Sequence, residues 1–80
     1  MAQADEAELL VAQIVAHLKR AREAKKLSLR QLEAICGVTN GGIHHIESGN
    51  RTPSLYNLIR IAKALEISLG DVILELEASV

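Results

Sequence analysis

The sequence is cut into helices by paired start and stop signals, and the gaps between them are too short for anything but turns. Ser28 and Gln31 have capping-box spacing, in which each side chain satisfies the other's backbone amide at a helix start. Gly37 follows that segment, and glycine readily takes the left-handed conformation that ends a helix. Two residues later Thr39 can cap a new helix, which Gly49 stops. Asp5 with Glu8, Ser54 behind Pro53, and Ser68 with Asp71 mark three further starts. The frame predicts an all-α chain: an extended first helix over 5–25, a helix pair over 28–48, and helices over 54–65 and 68–78.

Apolar residues recur at helical spacing within each segment. The first carries Leu10, Ile14, Leu18 and Ala21 beside Val11 and Val15. The second carries Leu29, Leu32, Ile35 and Cys36, with Val38 as a plug in the turn, and the third carries Ile43 and Ile46. Leu55, Leu58, Ile59, Ala62 and Leu65 stripe the fourth, and Leu69, Val72, Ile73 and Leu76 the fifth. Tyr56 is the only aromatic although 49% of residues are hydrophobic, so the core is built from Leu, Ile, Val and Ala, which suits helices. Eighty residues make one small domain, 1–80, which buries a modest share of its surface and gains from a partner subunit. The surplus apolar residues Val72, Ile73, Leu76 and Val80, or Leu9, Leu10 and Val11 on the first helix, are candidate surfaces for a second copy.

Net charge is −1, but its distribution is uneven. Lys19, Arg20, Arg22, Lys25, Lys26 and Arg30 face a single acid, Glu23, whereas no base follows Glu66. Such a basic segment can meet an anionic partner or can simply be a solvated helix face. The single cysteine, Cys36, excludes an intrachain disulfide, which fits a reducing, cytoplasmic setting. The acidic N-terminus does not fit a secretory signal, and no apolar run reaches the length of a membrane span. No phosphate-cradling glycine loop, metal cluster or nucleophile–base pair is evident, so neither an enzyme nor a cofactor is expected. His44 and His45 are adjacent, and neighbouring side chains on a helix point about 100° apart, which argues against joint chelation of a metal. Histidines titrate near neutrality, so binding through them can depend on pH. So short a chain leaves no room for a separate ligand-sensing domain, and no small-molecule ligand is expected.

The second and third segments, joined by a short turn containing glycine, have the spacing of a helix-turn-helix. The stretch LSLRQLEAICGVTNGGIHHIESGNRTPSLYNLIRIAKALEISLGDVI resembles the Cro/phage-repressor-like (XRE-type) helix-turn-helix family. The resemblance covers roughly Val15 to Leu74. Its most specific pieces are Leu32, Gly37-Val38, Ile43, Ile46-Glu47-Ser48-Gly49, Pro53-Ser54-Leu55, Leu58 and Ala62-Lys63-Ala64-Leu65. It implies a compact five-helix bundle, a lambda-repressor-like DNA-binding domain, that binds double-stranded DNA as a homodimer. It further implies an ion pair between Arg22 and Glu47, tying the first helix to the end of the recognition helix.

The sequence departs from that family at informative places. A phosphate-contacting glutamine is replaced by Leu29, and an alanine by Glu33, which needs a partner or a route to water. The first exposed positions of the third helix, which carry long base-reading side chains in relatives, are Asn40, Gly41 and Gly42. Glycine has no side chain with which to read a base. The glycines can let backbone amides approach a phosphate, mark a module that binds protein instead, or be drift tolerated in a first turn. Base-facing candidates are Asn40, which can pair bidentately with adenine, Gly41, Gly42, His44 and His45; phosphate-facing candidates are Lys26, Arg30, Thr39, Asn50, Arg51 and Thr52. The expected function is a sequence-specific DNA-binding regulator, a repressor. The alternative is a helix-turn-helix module that binds a protein partner.

Overall fold

The computed structural model describes residues 5–79, so Val80 lies outside the described residues. Five helices follow one another: α1 (Glu6–Ala24), α2 (Leu29–Cys36), α3 (Asn40–Glu47), α4 (Leu55–Ala64) and α5 (Leu69–Ala78). Each starts at a side-chain cap. Asp5 accepts the Glu8 amide at 2.8 Å. Ser28 and Gln31 make both halves of their capping box, at 3.0 and 2.7 Å. Thr39, Ser54 and Ser68 accept from Gly42, Asn57 and Asp71. These bonds satisfy amides that have no carbonyl partner inside the helix.

The stops are of two kinds. Gly37 and Gly49 take φ of 79° and 80°, as their positions past α2 and α3 require. Lys26 and Glu66 take nearly the same conformation, φ 58° and 60°, although each carries a Cβ. Leu27 N–H donates to Arg22 O and Ile67 N–H to Ala62 O, closing the last turns of α1 and α4 in the manner of a Schellman motif. Leu27 and Ile67 then pack against the core. That burial offsets the roughly 1 kcal/mol by which a left-handed non-glycine residue is disfavoured.

The core lies where α1 packs on α3 and α5 and where α2 packs on α3 and α4. Leu32, Ile43 and Leu65 are its largest fully buried side chains, joined by Ile14, Leu18, Ile46, Leu58, Ile61 and Ala62. Three residues expected in apolar stripes lie outside it: Ile35 is 58% exposed, Leu55 65% and Ile59 38%. On α2 the inward line runs through Leu32 and Cys36, which turns Ile35 outward. On α4 it runs through Leu58, Ile61, Ala62 and Leu65, so Ile61 holds the place expected of Ile59. The apolar residues of the terminal helices divide between core and surface. Val72 is buried, and Ile73, Leu76, Leu10 and Val11 pack against the core where α1 meets α5, leaving Leu9 exposed. Val72, Ile73 and Leu76 thus pack within the chain to differing degrees, whereas Leu74 on α5 stays 68% exposed. Among the described residues no helix is long and apolar enough to cross a membrane.

One polar contact ties three parts of the fold together. Arg22 Nε and Nη2 donate to the two carboxylate oxygens of Glu47 at 2.8 and 2.9 Å, and Nη1 donates to Leu27 O at 2.7 Å. The two side chains are only 12% and 11% exposed. Hydrogen bonding to Glu47 raises the Arg22 pKa above its ordinary value, against the opposing effect of burial. The forked guanidinium matches the carboxylate in plane and in spacing, which a lysine could not do. Glu47→Ala leaves that guanidinium without its anion in a largely enclosed place. The expected loss is about 3 kcal/mol, the low end for breaking a buried pair because water still reaches its edge. In a domain of this size the melting temperature should fall by more than about ten degrees, and an unchanged thermal melt would contradict the pair's structural weight.

Candidate nucleic-acid interface

The turn between α2 and α3 consists of Gly37, Val38 and Thr39. Val38 is buried and plugs the corner. The Cys36 carbonyl, left open at the end of α2, accepts from Arg60 Nε on α4 at 2.9 Å. The Arg60 guanidinium stands 5.0 Å from the Tyr56 ring centroid, a cation–π contact one turn apart on α4. A Cβ at Gly37 would meet the flexible tip of that guanidinium, which can shift, so it is the left-handed φ of 79° that favours glycine here. Arg60 was not among the residues expected to matter. Its signal in the sequence was the four-residue spacing from Tyr56, a pairing that faces along a helix.

At the head of α3 the expected base-facing residues divide. Asn40 is tied down: its Nδ2 donates to Glu33 Oε1 at 2.6 Å, and its backbone N–H donates to the same oxygen at 3.1 Å. Glu33 thereby gains the partner it needed. The Asn40 side-chain bond, then its backbone bond, hold the Glu33 carboxyl below its ordinary pKa, and Arg30 one turn earlier adds to the effect. Gly41 is exposed, with open space where a Cβ would stand. Gly42 is buried and does not share that outward face. A Cβ there would lie 2.9 Å from Thr39 Oγ1, 3.5 Å from Val38 and 3.7 Å from Arg51 Nη1. Helical rotation explains the split: two successive positions differ by about 100°, and the Ile43–Ile46 face that seats α3 takes Gly42 with it.

The amides at this helix end are already partly used. Asn40 N–H goes to Glu33, Gly42 N–H goes to Thr39 Oγ1 at 3.0 Å, and Ile43 N–H begins the regular helix on Thr39 O. An approach of the glycine backbone to a phosphate is therefore reduced to Gly41. Thr39 is exposed, but its oxygen serves first as the helix cap.

Further along α3, His44 and His45 are both exposed, their ring centroids 5.7 Å apart and tilted by 56°. Gly41, His44, His45 and Ser48 make one exposed stripe along the helix. The loop beyond folds back on it, with Asn50 and Arg51 N–H both donating to His45 O. Asn50, Arg51 and Thr52 are exposed, and the Arg51 side chain reaches the Gly42 side of α3. Lys26 and Arg30 are exposed at the entry to α2, where Lys26 also serves as the left-handed stop of α1. No side-chain contact joins these two to the α3 loop among the described residues. Leu29, where relatives carry glutamine, is half-buried and packs against the core.

The two glycines should respond oppositely to alanine. At Gly41 the new methyl meets nothing, and helix propensity favours it by about 0.5–1 kcal/mol, so the melting temperature should rise by a few degrees. At Gly42 the methyl displaces the Thr39 hydroxyl from its capping bond, and loss of a cap costs about 1 kcal/mol, which cancels or exceeds the gain. Equal stabilisation by both alanines, measured by thermal melts, would contradict this division.

Comparison with known proteins agrees with this architecture. A family model described as helix-turn-helix matches residues 18–72. Over 56 residues the chain is 41% identical to y4dL, an uncharacterized HTH-type transcriptional regulator of Sinorhizobium fredii (strain NBRC 101917 / NGR234). That alignment takes in 70% of this chain but only 29% of the relative, so the chain spans less than a third of that protein's length. No solved structure matches at a significant level. With its start-and-stop frame, its three-residue turn and the match over most of its helices, the chain belongs to the XRE-type helix-turn-helix family.

Proposed function

We propose that this chain acts as a sequence-specific DNA-binding transcriptional regulator, a cytoplasmic repressor working as a homodimer, with α3 as the helix that enters the major groove. The observation that carries the reading is the stripe of Gly41, His44, His45 and Ser48, which is exposed on the face opposite the seat formed by Ile43 and Ile46. Asn40 stands at its head and the Asn50–Arg51 loop at its foot. A helix held this way, small at the front and polar behind, suits close approach to a groove floor. Lys26, Arg30, Thr39, Asn50, Arg51 and Thr52 are the phosphate-facing set, and their positions at the entry to α2 and around α3 suit contact with the backbone on either side of a groove. Repression needs only occupancy, since a bound module excludes other proteins from its site. A homodimer follows from half-sites one helical turn apart, which need two recognition helices. Exposed apolar residues open to such a dimer include Leu9 on α1, Leu74 on α5, and Leu55, Tyr56 and Ile59 on α4.

The same residues favour a second reading, a module that binds protein, because Gly41 brings no base-reading group and the α4 surface is apolar. Selection of bound sequences from random DNA separates the two. Enrichment of a palindrome, with a dimer in sedimentation at micromolar concentration, is the expected result. A monomer that enriches nothing supports the protein-binding reading. Arg51→Ala should weaken binding to every DNA sequence and lower the salt slope by about one unit, as loss of a phosphate contact does. Loss of affinity for one sequence alone would assign Arg51 to base reading instead.

A further inference from the structure

We infer that Glu33 is a positioning residue for base recognition: it holds the Asn40 amide so that one N–H and the carbonyl oxygen remain free to face an adenine edge. The inference rests on the DNA-binding reading above and adds to it a residue in α2 that touches no base.

A carboxylate only accepts hydrogen bonds, so it selects the NH2 end of a neighbouring amide and turns the carbonyl end away. Here two donors of one residue, Asn40 Nδ2 and Asn40 N–H, converge on the single oxygen Oε1 of Glu33. The backbone bond fixes where the carboxylate stands, and the side-chain bond fixes which way the amide faces. The same two bonds hold the Glu33 carboxyl below its ordinary pKa, which favours the ionised, accept-only form. Arg30, one turn earlier on α2, contributes to that and offsets the negative charge beside a polyanion.

The donor count then sets the preference. The amide has two N–H donors and one carbonyl acceptor. With one donor committed to Glu33, one donor and one acceptor remain. Adenine offers an acceptor at N7 and a donor at N6, which this pair can satisfy together. Guanine offers two acceptors, N7 and O6, which need two donors. A free asparagine can turn its whole NH2 group toward guanine, whereas one bound to Glu33 cannot. Gly41, with no side chain beside Asn40 on the exposed face, leaves the approach to the amide open.

The test is sequence selection from random DNA with the full chain and with Asn40→Ala, Glu33→Ala and Glu33→Gln. The unmodified chain should enrich adenine at one position of each half-site, and Asn40→Ala should lose that preference. Glu33→Ala should lower the preference for adenine over guanine at that position roughly tenfold, the size of one good base contact, and leave the other positions unchanged. Glu33→Gln keeps an acceptor but can also donate to Asn40 Oδ1, so its preference should fall between the two; it also serves as the measured variant if Glu33→Ala does not fold. Unchanged adenine preference in the Glu33 variants overturns the inference while leaving the DNA-binding reading intact. So does flattening of every position alike, the result expected if the pair only braces the turn. If the unmodified chain enriches no sequence at all, the DNA-binding reading falls and this inference falls with it.

Discussion

The placement of α3 depends on one guanidinium. Arg22 reaches from the last turn of α1 to both oxygens of Glu47 at the end of α3, and to the Leu27 carbonyl in the turn that leads into α2. A hydrophobic contact could bury the same area, but it would not fix rotation of α3 about its axis. A planar fork meeting a carboxylate does, because misalignment breaks both bonds. Rotation matters here because a turn of one residue would exchange the buried Gly42 for the exposed Gly41. The seat of Ile43 and Ile46 sets how deep α3 lies, and the Arg22–Glu47 pair sets which face it shows.

The other end of the helix pair is held by α4. Arg60 closes the Cys36 carbonyl and fills the space over Gly37, with Tyr56 supporting its charge. The turn between α2 and α3 is therefore braced from outside as well as by its own three residues. Such a corner has little freedom, since Gly37 supplies the left-handed backbone, Val38 the buried anchor and Thr39 the next cap. Weak helix formers at the head of α3 are affordable in that setting, because the tertiary contacts at both ends do what propensity does in an isolated helix.

Most of the fold was legible because start and stop chemistry is local. Asp5, Ser28, Thr39, Ser54 and Ser68 act as caps at the positions their spacing indicates, and Gly37 and Gly49 stop helices where a left-handed residue is needed. Lys26 and Glu66 were not legible as stops, because an L-residue in that conformation is held by the burial of its successor, which is a tertiary effect. Exposure was legible only within about one residue. Ile35, Leu55 and Ile59 fit a helical stripe as well as Ile61 does, and the neighbouring helices decide between them. At the candidate interface, the sequence marked the exposed residues of α3 as candidates but not their wiring. Glu33 was recognisable as a group in need of a partner, yet that the partner is Asn40 depends on how the turn brings two helices together.

That wiring changes what the missing side chains mean. A recognition helix with two glycines at its head reads as one that has lost its contacts. The structure gives each of the three leading positions a different task instead. Gly42 makes room inside, against Thr39, Val38 and Arg51; Gly41 leaves room outside; Asn40 has the only polar side chain of the three, and it is bonded to Glu33 on α2. A long side chain brings its own reach and its own rotamer entropy to a groove. A short one held by a neighbour brings neither, and compensates by letting the backbone come closer. On the proposed reading, specificity in this chain would then lie less in the number of groups that face the DNA than in how few orientations the one at the head of α3 is allowed.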